Sequence, residues 1–239
     1  MGARPWTGLE RGCQAGGNDV RIAVFAAHPD DEVLGAGGTL ARHAERGDEV
    51  HAVVVAEGAT GRYEDDMKEA LQKAGLRAAE ELGLSSIRFE GLPDQRLDEL
   101  SLIDVTQRIE GILEELDPEV VYTHCPGDVN ADHGIVARAA WTACRPYRFP
   151  GIRRFAAFET PSSTEWGWPL PTSAFQPTLF VDVTATIDAK VTALEWYESE
   201  LRNYPHPRST RALRERAAHW GSVVGRPCAE PFVILREIA

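Results

Sequence analysis

Hydrophobic and polar positions follow one another along this chain in two rhythms. Short apolar runs near 21–27, 50–56, 86–90 and 119–123 read as strands, and the first of them, with Ile22, Val24, Phe25 and two alanines, reads as buried on both faces. Between these runs, near 34–46, 65–82 and 102–116, the spacing is helical. Such alternation predicts a mostly parallel sheet with helices on both faces and right-handed crossovers, a Rossmann-like α/β fold. A further helix follows Asp132, with Ile135, Val136, Ala139 and Ala140 at helical spacing. Beyond it the pattern predicts strands at 153–159 and 178–183, helices near 187–203 and 209–224, and a last strand at 231–236. In the first of these two helices Ile187, Val191, Leu194 and Leu201 share a side. No internal repeat or linker interrupts the pattern, so residues 20–239 are expected to form one domain whose C-terminal part adds short strands and helices over a pocket.

The first strand ends in His28-Pro29-Asp30-Asp31-Glu32. Open α/β folds place their ligands at the carboxyl edge of the sheet, where this cluster emerges. An imidazole and three carboxylates this close are costly to desolvate unless a cation or a partner compensates them, and the donor set suits Zn²⁺. The simpler reading is a turn in which an Asp caps the next helix. The spacing favours a metal: His28 and Asp31 flank a rigid Pro29 and can aim at one point, leaving Asp30 for proton transfer. The best candidate for a third ligand lies in Asp128-Val-Asn130-Ala-Asp132-His133, after the strand that ends at Thr123. Asp132 there could cap the helix or orient an active-site group.

Taken together, Ala27-His-Pro-Asp-Asp-Glu32, the glycine-bearing stretch after it, Val54-Val-Ala-Glu-Gly58 and Asn130-Ala-Asp-His133 resemble the PIG-L/LmbE-like N-deacetylases. The likeness covers about residues 20 to 239, with softer support from Gly91 to Gln95, Glu159 to Trp166 and Pro205 to Ser209. It implies a zinc enzyme that removes an acetyl group from an N-acetylated amino sugar, typically a small-molecule GlcNAc conjugate. His28, Asp31 and His133 would be the metal ligands and Asp30 the general base. Three protein ligands leave zinc an open position at which water becomes acidic enough to attack. Fe²⁺, Co²⁺ or Ni²⁺ could occupy a similar site.

Two departures from the family pattern stand out. Many relatives carry a His where this chain has Asn130, so oxyanion stabilisation is expected to draw on Asn130, with His124 and His206 as other candidates. The Arg-x-x-Glu pair of some relatives has no clear counterpart in Asp66 to Leu82. Arg62 and Asp94, in loops after strands, are the better candidates for gripping substrate, together with His206 and Arg208. Trp166 offers a wall for a sugar face, although it and Trp168 could equally serve packing or contacts in a homo-oligomer.

Gly35, Gly37 and Gly38 do not make a dinucleotide fingerprint, because they follow an acidic turn that would repel a pyrophosphate; close helix-to-sheet packing explains them better. A net charge of −12 argues against nucleic-acid partners. No apolar run reaches the ~20 residues of a membrane helix. Four cysteines without CxxC spacing suggest neither a disulfide framework nor a structural zinc site. Met1 to Asp19, without an apolar core, reads as a flexible tail rather than a secretory signal, and a cytoplasmic protein is expected.

Overall fold

The first strand, β1 (Arg21–Ala26), lies at the centre of the sheet in a computed structural model that describes residues 20–58, 65–168, 170 and 174–239. It is flanked by β2 (Glu49–Ala56) and β4 (Val120–His124), both parallel to it. Outside them stand β3 (Ser86–Leu92) and β5 (Arg154–Phe158), and then β7 (Ala229–Glu237) and β6 (Leu179–Asp182). The strand order is β3-β2-β1-β4-β5-β7-β6. The five strands from β3 to β5 run parallel, and β7 is antiparallel to both β5 and β6. The mostly parallel sheet expected from the alternation is therefore what the chain forms.

Alternate residues of β1 serve two cores. Ala23 and Phe25 pack with Val105, Ile109, Ile112 and Leu113 of α3 (Leu102–Leu116) and with Val136, Ala139 and Ala140 of α4 (Ala131–Ala143). Ile22 and Val24 face the opposite way, toward Ala36 and Leu40 of α1 (Asp31–Glu45). Over α1 lies a third cluster, which joins Val33 and Leu34 to Leu71 and Ala78 of α2 (Asp65–Glu81), to Leu194 of α5 (Ile187–Glu195) and to Leu213 of α6 (Thr210–Val223).

The glycines of α1 let it approach closely, as the packing reading expects. A Cβ on Gly35 would lie 2.1 Å from the Phe158 ring, and one on Gly38 2.9 Å from Val183. Lys190 of α5 donates to the Leu34 carbonyl of this helix at 2.8 Å and to Glu230 at 2.6 Å, and Glu230 accepts from the Gly38 and Thr39 amides. This buried clamp ties α1 to α5 and β7.

Two expectations need correction. The first helix starts at Asp31 rather than near 34, so Asp31 and Glu32 occupy its first turn, where the helix dipole favours negative charge. The helix expected over 187–203 stops at Glu195. Tertiary contacts override the apolar period there: Tyr197 turns in to donate to Glu32 at 2.6 Å, and Glu200 turns toward Arg208.

Candidate active site

Strand order places the site. The chain steps outward from β1 to β2 and β3, then returns to the other side of β1 for β4, and this reversal opens a crevice at the carboxyl ends of β1 and β4. His28 to Asp31 emerge on one side of the crevice, and Asp128 to His133 on the other. The local backbone is unusual at Asp30, which holds φ 101° at the N-cap of α1 and makes no side-chain cap. The capping alternative for this Asp is thus not what it does. Its carboxylate instead meets Arg208 Nη1 at 3.1 Å, while its amide donates to Glu32 Oε2 at 3.3 Å.

His28, Asp31 and His133 come together with one donor atom each within 4.8 Å of the others. Asp31 Oδ2 lies 3.3 Å from His28 Nδ1 and 3.2 Å from His133 Nε2, and those two nitrogens are 3.3 Å apart. The far side of each ring decides how it presents itself. His28 Nε2 faces Asp132 at 3.1 Å and Asp94 at 3.3 Å, and His133 Nδ1 faces Asp128 at 3.2 Å. A neutral imidazole has one N–H, and the carboxylates claim it on both rings, so both inner nitrogens turn lone pairs toward Asp31. Two lone pairs and a carboxylate pointing at one another repel unless something positive lies between them. Asp31 Oδ2 accepts from the His28 amide at 2.9 Å, but Oδ1, buried, has no hydrogen-bond partner among the described residues. The donor set therefore fits a divalent cation. It also distinguishes this cluster from His28 with Asp94 and Asp132, where both Asp132 oxygens are already used.

Without a cation between them, the same surroundings would draw protons onto the rings instead. Burial pulls the His28 imidazole down, but hydrogen bonds to Asp132 and Asp31 outweigh it and raise it to about 10. Burial likewise opposes the rise of His133, which the Asp31 and Asp128 carboxylates carry to about 9. Surroundings that favour positive charge on both rings favour a cation between them. Asp30 is driven the other way: burial pushes its carboxyl well above the usual range, and Arg208 opposes the rise. Burial also brings Glu32 to about 7.

The remaining sequence-predicted residues fall in several places. Asp132 is not the cap of α4; Asn130 is, its Oδ1 accepting the Asp132 amide at 2.9 Å. Asp132 instead accepts from the Gln95 and Leu97 amides and thereby fastens the loop after β3 against His28. Asn130 lines the cavity, with Nδ2 3.5 Å from Gln95 Oε1. His124 does not fill the oxyanion role. It is fully buried, accepts from the Ala27 amide at 2.8 Å and pairs with Thr160 Oγ1 at 3.0 Å. Burial, with His133 beside it, lowers it to about 3, and its ring stacks on His133 at 4.0 Å.

The cavity in front of the cluster has a volume of about 400 Å³, and His28, Asp30, Asp94, Trp166 and Arg208 are among its walls. His206 is not; it stands edge-on behind Trp166 and accepts from the Arg208 amide at 3.1 Å. Arg62 and the tail Met1 to Asp19 lie outside the described residues. Sequence reasoning passed over Asp128 as a partner for His133, although its place five residues before that His was a usable signal. It also passed over Ser162, Ser163 and Glu200, for which the sequence carries no such signal.

With this geometry in view, residues 23–144 match the family profile PIG-L, described as GlcNAc-PI de-N-acetylase. The chain belongs to the PIG-L family. An uncharacterized deacetylase, YaiS, of Escherichia coli is 30% identical over 190 residues, spanning 74% of this chain and 90% of that protein. A 4-oxalmesaconate hydratase of Pseudomonas putida is 29% identical over 196 residues, spanning 72% of this chain and 70% of that protein. Among solved structures, the conserved protein TT1542 of Thermus thermophilus superposes with a TM-score of 0.75 at 26% identity, over 92% of this chain and 96% of that one. The PIG-L match ends at the close of α4, so Ser162, Trp166, Glu200 and Arg208 lie beyond it. Among the described residues no helix is long and apolar enough to cross a membrane.

Proposed function

We propose that this protein is a metal-dependent N-deacetylase that hydrolyses the acetamide of an N-acetylated amino-sugar conjugate to acetate and a free amine. The observation that carries the reading is the meeting of His28, Asp31 and His133 in one cluster, of which His28, together with the buried Asp30, reaches the wall of a cavity. Membership of a family described by de-N-acetylation of a GlcNAc conjugate supports it. His28, Asp31 and His133 would hold a divalent cation, with zinc the best fit to two imidazoles and a carboxylate. When bound, such a cation acidifies water and polarises an amide carbonyl.

The chain's own groups supply the rest. Asp30, its carboxyl raised by burial, takes a proton from the attacking water and returns it to the departing nitrogen as the C–N bond breaks. Asp132 and Asp128 hold the outer nitrogens of His28 and His133 and so fix the direction of both rings. Asn130 Nδ2, at the cavity wall, is the neutral donor available to the developing oxyanion. Asp94 accepts from sugar hydroxyls and Trp166, more than half exposed at the mouth, packs against the conjugate.

The hydratase relative marks a second reading, addition of water to an unsaturated acid. The cavity wall argues against it, because it sets Asp30, Asp94 and Glu200 against a single guanidinium, Arg208, that is already engaged by two of them, a lining that suits a neutral sugar better than a polycarboxylate. The test is acetate release by metal-loaded protein from a panel of GlcNAc conjugates, with unsaturated polycarboxylic acids assayed alongside. Acetate release that His133→Ala abolishes is expected; water addition without acetate release would overturn the proposal.

A further inference from the structure

Arg208 enters the cavity from the turn before α6, far from the cluster in sequence and outside the segment the family profile matches. Its guanidinium is held at three points. Nε donates to Ser162 Oγ at 2.7 Å, and Nη1 donates to Asp30 Oδ2 at 3.1 Å and to Glu200 Oε2 at 2.9 Å. Asp30 and Glu200 are both buried, 1% and 9% exposed, so neither carboxylate has bulk water to compensate it. The planar fork also transmits position: pinning Nε on Ser162 sets where Nη1 lies.

Asp30 needs such a partner. It stands at the N-cap of α1 with φ 101°, and its side chain makes no cap there. A carboxylate that must reach one proton in one direction, on a left-handed backbone and without a capping hydrogen bond to its own helix, depends on a neighbour for its aim.

Resting on the reading of Asp30 as base, we propose that Arg208 is a positioning residue that holds the Asp30 carboxylate in its working direction, with Glu200 and Ser162 locking the guanidinium in place. It acts through Asp30 rather than by gripping substrate. This differs from the expectation drawn from the Pro205 to Ser209 stretch, which gave Arg208 to substrate.

The experiment pairs kinetics with a stability cycle. Arg208→Ala should lower kcat by about 100-fold, the scale of a misplaced catalytic group, with KM and bound metal near wild-type values. Added guanidinium ion should restore part of the rate, and Arg208→Lys should recover less than that ion because an ammonium cannot reproduce the fork. A raised KM with kcat unchanged, or loss of metal, would overturn the proposal. The second arm does not depend on turnover: the fall in Tm caused by Arg208→Met should be smaller in an Asp30→Asn background, where one of the two carboxylates it compensates is gone. Equal falls in both backgrounds would also overturn it. If wild-type protein releases no acetate from any conjugate, the deacetylase reading fails, and the Tm cycle still decides whether Arg208 is coupled to Asp30.

Discussion

One wall of the cavity, with His28 and Asp30 in front of the buried Asp31 and His133, is built from segments that follow β1 and β4, while the wall that carries Ser162, Trp166, Glu200 and Arg208 is assembled from the segments between β5 and β6 and between α5 and α6. The first wall is rigid by construction, since neighbouring parallel strands determine where its residues emerge. The second is held by side chains: Arg208 on Asp30, and the Lys190–Glu230 clamp that fastens α5 and β7 to α1. On the proposed reading, one wall supplies the reacting groups, and the other supplies their aim and enclosure.

Substitutions can break this division or sharpen it. The largest effect belongs to Asp30→Asn, which should lower kcat by about 10²- to 10⁴-fold, the usual contribution of a general base, while elemental analysis finds metal content intact. Comparable loss of metal would move Asp30 among the ligands. Next comes Lys190→Met, which strands Glu230 as a buried, uncompensated carboxylate; both partners are under a tenth exposed. Urea unfolding should show a loss of about 3–5 kcal/mol. Metal binding should outlast activity as the variant is destabilised, if the strand-end wall stands by itself.

Asp132→Asn should be milder. It keeps an acceptor near His28 but loses the charge, and a titration should find metal affinity lowered by about 10- to 100-fold. An unchanged affinity would mean that Asp132 serves the loop after β3 and not the ring. The smallest effect is that of Asn130→Ala, which removes the cap of α4 at a cost of about 1 kcal/mol in thermal or urea unfolding. On the proposed reading kcat should fall further than this loss of stability explains, and an unchanged kcat would take the oxyanion role from its amide.

The juxtaposition of His28, Asp31 and His133 was legible because each follows closely on a strand whose pattern is local. His28, Asp30 and Asp31 are adjacent in sequence, and the strand patterns around 21–27 and 119–123 told where they and His133 would emerge. Helix ends were less legible. The apolar period through Leu201 outlasts the helix, which ends at Glu195 because burial of the Tyr197 hydroxyl on Glu32 draws the chain off its helical path. Caps were harder still: Asn130 and Asp132 are both good capping residues, and only the position of the Gln95 and Leu97 amides assigns Asp132 to the loop and leaves the cap to Asn130.

By itself, then, the sequence determined the alternating α/β pattern and the acidic, imidazole-bearing strand end, because both are written in spacings of a few residues. Tertiary structure alone decided that His124 is a buried packing partner of His133, that His206 stands behind Trp166, and that Arg208 meets Asp30 across 178 residues of chain. Those outcomes depend on how loops pack over the sheet edge, where hydrogen bonding and burial act between residues that no local period connects.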